Sequence, residues 1–435
     1  MFRGNMKFGR PRGTRDFLPD EMRVRSYIIE KVRRAFEMHG FEEMDTPAIE
    51  LWEVLSAKGG EEVEHQIYKF QDKGGRWIGL RFDLTVPLAR VVANNPDLVK
   101  PFKRYCIAKV WRYEEPQSGR FREFLQADID IVGSPYMEAD VECIATAIDA
   151  LKSLNLERFK VRINNRKILE GVMSLMGISG ELFFKILRIL DKMDKIGENQ
   201  VIKELEDLGL EREIIEKIIN FIHNKGEEAL DYIKRNFESD LVIQGVNELE
   251  KIIALSKPYN LYDYIVIDLS LVRGLDYYTG PVFEIEAEER QIGSIAGGGR
   301  YDNLIEKFGG SATYATGISL GIERLYEILG EKIAAKINKS NIKVFIANVN
   351  EELLEESIKI YRRIIEFGIP AEIDLMRRKL SRQLEYANAK KIPYVLIIGP
   401  EELKSGIFKL RDMMEKKEYN IKLEELKNFI LSQAF

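Results

Sequence analysis

Between Arg112 and Asp130 the chain gathers side chains able to hold a nucleotide: Arg112, Arg120 and Arg122 stand beside Glu114, Glu115 and Glu123. Guanidinium groups are planar and permanently charged, and they grip phosphate oxygens in pairs. Gln126, Asp128 and Asp130 follow at alternate positions, which puts all three on one face of a strand. An amide and carboxylates there suit a small cationic or hydrogen-bonding ligand beside a triphosphate. The plainer alternative is a strand face that is simply wet.

Two apolar strands, Tyr105–Arg112 and Glu123–Val132, would carry these groups, with the polar loop Glu114–Arg122 between them. Pro116 and Ser118-Gly119 supply the turn. Upstream, LRFDLTVPLARVV places Asp83 and Thr85 two apart, on a shared face if the segment is extended. Thr85 ahead of Pro87 equally reads as a helix cap, and the two roles are compatible. The segment before it offers a helix over Pro19–His39 with a stripe of Tyr27, Ile28, Val32 and Phe36. A strand in FEEMDTPAIEL meets Pro47, which confines it to an edge or an interface. Ile67–Phe70 and Trp77–Leu80 read as a hairpin.

A helix is expected over Met137–Leu154, and residues 168–258 lose strand signals in favour of amphipathic helices. Strand character returns at Ile265–Leu271, which leads Arg273 into RGLDYYTG. Tyr277 and Tyr278 suit either core packing or a polar site. SIAGGGRY, with its run of glycines, lets a backbone approach a ligand or bends a strand. ATGISLGIERL places Arg324 near a helix start after Gly317 and Gly321, a plausible phosphate position. Beyond the polar stretch 330–340, strands and helices alternate as a small α/β domain with a mostly parallel sheet. Its Arg377-Arg378-Lys379 and Arg382 form either a solvated helix entry or a phosphate-backbone contact.

Composition narrows the classes. A chain of 435 residues, 45% hydrophobic and 31% charged, has material for about two or three domains. No run approaches the roughly 20 apolar residues of a membrane span, and the basic start lacks the apolar core of a secretory signal. Cys106 and Cys143 are too few for a disulfide framework, and His39, His65 and His223 have no ligand spacing. No metal site is expected, and a cytoplasmic setting is. A net charge of −5 leaves room for a local basic surface.

Taken in order, these segments resemble a class II aminoacyl-tRNA synthetase, and specifically the histidyl-tRNA synthetase family. MDTPAIE resembles the dimer-forming first motif, Arg104–Gly133 the second, and GISLGIERL the third. RGLDYYTG at Arg273–Gly280 and AGGGRYD at Ala296–Asp302 resemble the histidine-specific signatures. Asp83 and Asp130 look more like the archaeal and eukaryotic branch than the bacterial one, and Glu115 stands where bacterial members commonly carry Arg, so no tRNA contact is assigned to the second-motif loop.

The resemblance implies an α+β catalytic domain on an antiparallel sheet (1–167 and 259–329) with a helical insertion (168–258). A linker (330–340) and a C-terminal α/β anticodon-binding domain (341–435) complete the expected fold. It implies ATP held by Arg112, Glu114, Arg120 and Arg324, and histidine held by Asp83, Thr85, Gln126, Asp130, Arg273, Tyr277 and Tyr278. Arg273 and Arg112 would be catalytic, Mg²⁺ would accompany ATP, and the partners would be L-histidine, tRNA-His and a second copy in a homodimer. The alternatives are a synthetase-like regulatory subunit and a tRNA-sensing module, neither of which aminoacylates. The regulatory subunit lacks the anticodon-binding domain and generally loses RGLDYY.

Overall fold

The computed structural model describes residues 9–57, 65–116, 119–272, 277–288 and 293–432. The chain divides into two units, Met1–Glu331 and Lys332–Phe435. Strands of the first unit are β1 Glu42–Glu43, β2 Ile49–Leu51, β3 Lys69–Gln71, β4 Trp77–Leu80, β5 Phe102–Trp111 and β6 Glu123–Val132. They continue with β7 Phe159–Asn165, β8 Ile265–Ile267, β9 Pro281–Ala287, β10 Ser294–Arg300 and β11 Ala315–Gly321. Among the described residues, eight strands form one sheet in the order β1-β5-β6-β11-β10-β9-β7-β8. Its pairs are antiparallel apart from β1 with β5 and β7 with β8.

One face of this sheet is closed by helices. Pro19 starts helix Pro19–Met38, where its missing N–H costs nothing, and Asp20 and Glu21 meet the positive end of the dipole. Val24, Ile28, Val32 and Phe36 are its buried stripe; Tyr27, expected in that stripe, is only partly buried. Helix Met137–Ser153 is buried on nearly every side. Ala139, Ala145, Ala147 and Ala150 fit the tight side, while Val141, Ile144, Ile148 and Leu151 fill the core.

His39 closes the first helix and joins it to this second one. Its Nδ1 lies 3.3 Å from Glu142 and its Nε2 3.0 Å from Asp149, and Lys103 donates to Glu142 at 2.8 Å. The Glu142 hydrogen bond raises the His39 pKa, with burial opposing and Asp149 helping. His39 and then Lys103 hold the Glu142 carboxyl down to about 2 against its burial. A raised histidine pKa stabilises the fold fully below the unfolded value of about 6.5 and loses that contribution as pH climbs through the folded value. Thermal melts of the wild type should therefore fall between pH 6 and pH 8 more steeply than those of His39→Gln. Parallel curves would remove His39 as the cause.

Several expected elements differ in detail. Pro47 splits the predicted strand: β1 runs parallel to β5 in the large sheet, and β2 pairs with β4 in a separate sheet ordered β2-β4-β3. Asp83 and Thr85 lie on no strand. Thr85 begins helix Thr85–Asn94, and Asp83, not Thr85, caps it by accepting the Val86 N–H at 3.0 Å. The strand predicted through Leu271 stops at Ile267, because Asp268 accepts the Ser270 N–H at 3.1 Å and turns the chain. The helices between Arg166 and Ser256 begin and end against the sheet. Helices Arg166–Leu175 and Asp240–Ser256 meet closely, since a Cβ on Gly171 would sit 2.7 Å from Val242 and one on Gly245 2.7 Å from Ile168.

Residues 330–340, expected as a linker, are helical as far as Lys336 in helix Ile322–Lys336. The second unit holds β12 Val344–Asn348, β13 Ala371–Ile373, β14 Tyr394–Ile398, β15 Ile407–Asp412 and β16 Glu418–Lys422. Their order is β13-β12-β14-β15-β16. The first three are parallel, and β15 and β16 form an antiparallel hairpin where a single strand was expected. Val344, Ile346, Leu396, Leu410 and Leu426 anchor its core beneath helices Leu354–Glu366 and Leu426–Ser432.

Candidate active site

Residues paired across neighbouring strands share a face, so the registers build the site rung by rung. One rung runs Arg104–Asp130–Gly317–Gly299, the next Cys106–Asp128–Ser319–Gly297–Glu284, and a third Ala108–Gln126–Gly321. Side chains from β6 thus stand beside glycines of β10 and β11, and the glycines clear a trough down to the backbone. At Gly317 the need for glycine is absolute, since a Cβ would lie 2.2 Å from Asp130 Oδ1. At Gly297 no protein atom is nearer than 4.0 Å to such a Cβ, which leaves that space to a ligand.

The trough is a cavity of about 340 Å³. It is lined by Asp83, Thr85, Arg112, Glu114, Arg120, Gln126, Asp130, Tyr277, Tyr278 and Arg324, which are all the expected site residues that fall in the described chain. Arg273 lies outside the described residues. Strand β6 is buried along most of its length, so the polar row on it is not a wet face. Asp128, named only as part of the alternate-residue row and given no site role, also lines the cavity, as do Glu284, Ser319 and Tyr301, which were not singled out. Asp128 had a signal in the alternate-residue row, and Tyr301 in the glycine-rich signature. Glu284 had only the alternation of VFEIEA.

The arginine end is fixed by aromatic rings and carbonyls. Arg112 stacks between Phe82 and Phe124, 4.4 and 5.2 Å from their centroids, and its Nε donates to the Phe82 carbonyl at 3.3 Å. Arg122 stacks on Tyr113 and donates to the Glu114 carbonyl at 2.9 Å, buttressing the loop from outside. Arg120 lies 3.7 Å from the Glu114 carboxylate. Arg324 donates to the Ser294 carbonyl. Its neighbour Glu323 ties helix Ile322–Lys336 to β6, accepting the Leu125 N–H at 2.7 Å and pairing with Arg25 at 2.5 Å.

The acidic end lies further along β6, about 26 Å of strand from the Arg112 rung to Asp130 at 3.3 Å per residue. Arg104 is fully buried, lies 2.7 Å from Asp130 Oδ2 and donates to the Leu84 carbonyl at 2.9 Å. Burial works against its charge, but Asp130 and then Asp128 outweigh it, so Arg104 stays a cation. Tyr301 donates its hydroxyl to Asp130 Oδ1. Burial raises the Asp130 carboxyl above the usual range even so, with Arg104 and Tyr301 opposing. Burial lifts Asp128 to about 7, tempered by Arg104 and reinforced by Asp130. Tyr277 donates to Tyr278 at 2.9 Å, and burial followed by the Asp83 carboxylate pushes the Tyr277 pKa up. Both Tyr277 and Tyr301 are therefore neutral donors at physiological pH.

Not every residue of the glycine-rich signature serves the cavity. Arg300 points the other way. It pairs with Asp140 and donates to the Ser134 and Tyr136 carbonyls, each at 3.0 Å, which staples β10 to the start of helix Met137–Ser153.

A trough with guanidinium groups at one end and desolvated carboxylates at the other matches a nucleotide beside a small cationic ligand. Comparison with known proteins bears on which. A family model described as histidyl-tRNA synthetase matches residues 13–325, and one described as an anticodon binding domain matches residues 343–433. A histidine–tRNA ligase of Aeropyrum pernix is 43% identical over 407 residues, covering 92% of each chain. That of Korarchaeum cryptofilum is 43% identical over 427 residues, covering 97% of this chain and 98% of its own. The crystal structure of a histidyl-tRNA synthetase from Nostoc sp. superimposes with a TM-score of 0.84 at 32% identity, over 99% of this chain and all of that one. With both family models in chain order and coverage nearly complete, the chain belongs to the histidyl-tRNA synthetase family.

Proposed function

We propose that this chain activates L-histidine with ATP and transfers it to the 3′ end of tRNA-His. The observation that carries this reading is the single trough with arginines at one end and buried carboxylates with tyrosine hydroxyls at the other. In the first step a carboxylate oxygen of histidine attacks the α-phosphorus and the bond to pyrophosphate breaks, giving histidyl-adenylate. Charge grows on the non-bridging oxygens, where Arg112 and, by family resemblance, Arg273 stabilise it. Arg120 and Arg324 hold the terminal phosphates, and Glu114 reads the adenine amino group. In the second step a tRNA 3′-terminal hydroxyl attacks the adenylate carbonyl and AMP leaves. No protein nucleophile is needed.

Asp83, Thr85 and Gln126 line the pocket for the histidine α-amino group and side chain, and Asp130, Tyr277 and Tyr278 contact the ring. Gln126 supports this assignment: its Nε2 donates to Ser319 at 2.9 Å, while its Oε1 is buried with no protein donor. An acceptor in that state suits an ammonium. Mg²⁺ enters with the nucleotide phosphates. Among the described residues no cluster of three or more His, Cys, Asp or Glu would hold a metal without them.

The chain is a cytoplasmic homodimer in this reading. Among the described residues no helix is long and apolar enough to cross a membrane. Ile49, Leu51 and Phe70 are exposed on one face of the β2-β4-β3 sheet next to Pro47, an apolar face suited to a second copy. Light scattering should give twice the 50.4 kDa chain mass. In the second unit, Arg377, Arg378 and Arg382 pair with Glu351, Asp374 and Glu385 at 2.6, 2.7 and 2.6 Å. The Arg377 and Arg382 pairs are exposed and weak, whereas Asp374 is buried, so Arg377 and Arg382 are the ones assigned to the tRNA backbone.

ATP–pyrophosphate exchange with each of the 20 amino acids tests the function directly. Exchange with histidine alone is expected. Folded protein that binds ATP or tRNA yet exchanges with none would favour the regulatory or sensing alternative.

A further inference from the structure

Resting on the histidine reading, we propose that Asp128 is a further histidine-binding residue, its carboxylate accepting an N–H of the bound substrate in competition with a proton. The geometry isolates this one oxygen. Asp128 is 3% exposed, lines the trough, and its Oδ1 has no hydrogen-bond partner among the described groups. The Asp128 carboxylate has a hydrogen bond with Ser319 and no ion pair of its own among the described groups. Its neighbour on the same strand face has a cation against it, although Asp130 Oδ2 too has no aligned hydrogen bond among the described groups. Asp130 accepts the Tyr301 hydroxyl at one oxygen and has the Arg104 guanidinium at 2.7 Å from the other.

A buried carboxylate oxygen without a donor costs several kcal/mol unless it is protonated or met by a ligand. Across the rung from Asp128 the next positions are Ser319 and Gly297, where the missing Cβ leaves the approach open. A donor arriving from the trough therefore reaches Asp128 between the Gln126 and Asp130 side chains. The charges around it also favour a donor of positive character. Asp130 and Asp83 add negative potential, and Arg104 is shared with Asp130. Cys106 and Tyr277, the other titratable neighbours, both have their pKa raised by burial and stay neutral.

The empty site near neutrality then holds a mixture of protonated and ionised Asp128, since burial puts its midpoint at about 7. Histidine selects the ionised form and expels the proton. Asp128→Asn keeps the shape, removes the charge and turns part of the group into a donor.

The test is calorimetric titration of L-histidine into wild type and D128N at pH 7, in buffers of different ionisation enthalpy, with ATP binding measured alongside. A charge-assisted hydrogen bond of this kind predicts a loss of histidine affinity on the order of 10- to 100-fold in D128N. Wild type should release more protons per site than D128N, because burial raises the Asp128 pKa and a bound donor selects its ionised form. ATP affinity should be unchanged, which shows the site is folded. Equal histidine affinity, or reduced affinity with equal proton release, overturns the assignment to Asp128. A wild type that binds no histidine at all overturns the functional reading instead.

Discussion

Replacing Arg112 by alanine is expected to lower histidine-dependent ATP–pyrophosphate exchange by a factor on the order of 100 or more. Protein contacts orient Arg112, with its guanidinium between Phe82 and Phe124 and its Nε on a carbonyl. Charge that is aimed in advance need not be reoriented as negative charge develops on the α-phosphate. The loss should appear mainly in kcat, since the interaction strengthens in the transition state. Arg112→Lys should recover little, because a point charge on a flexible stem lacks the flat fork that stacks and binds two oxygens. Exchange within a few-fold of wild type in the alanine variant would show that Arg112 only supports the loop.

The second large effect is on stability. Arg104→Met should destabilise the fold by about 3–5 kcal/mol, the usual result of stripping a buried ion pair of one partner. Arg104 is fully buried, and without it Asp130 and Asp128 face each other with no cation between the strands. Arg104 is itself an expensive residue to bury, since its Nε and Nη1 find no acceptor among the described groups. For that reason the double variant Arg104→Met, Asp130→Asn should regain much of the lost stability. It should not regain histidine binding, because the Asp130 carboxylate is then gone. Urea denaturation of the four proteins checks the cycle. A loss under about 1 kcal/mol in the single variant would place this pair with weakly coupled surface pairs.

Much of this arrangement was legible as spacing. Alternation of Gln126, Asp128 and Asp130 placed them on one face of a strand, and the structure does set them on one face of β6. Apolar periodicity located helices Pro19–Met38 and Met137–Ser153 to within a residue or two. The glycine run indicated room for a ligand or a strand bend, and Gly297 lies on β10 with open space where a Cβ would stand. The close approach of Gly317 to the Asp130 carboxylate was not foreseen. Local misreadings had local causes: Thr85 is itself the first helical residue and Asp83 accepts the Val86 N–H, and Asp268 turned the chain after Ile267.

Other features exist only once distant strands pair. Residue type and spacing along the chain located a strand, a polar row and a cluster of arginines suited to phosphate, because those depend on neighbours a few positions away. They said nothing of Arg104, a single arginine in an apolar stretch, whose partners are Asp130 and Leu84. Nor did they separate Asp128 from Asp130, since both alternate identically. Pairing of β6 with β5 and β11 puts Arg104 and Gly317 beside Asp130, and Cys106 and Ser319 beside Asp128. Tyr301 then reaches Asp130 from 171 positions away. Which carboxylate has the cation and the tyrosine hydroxyl against it follows from those contacts, and the environment that tunes each group is assembled from parts of the chain that only folding brings together.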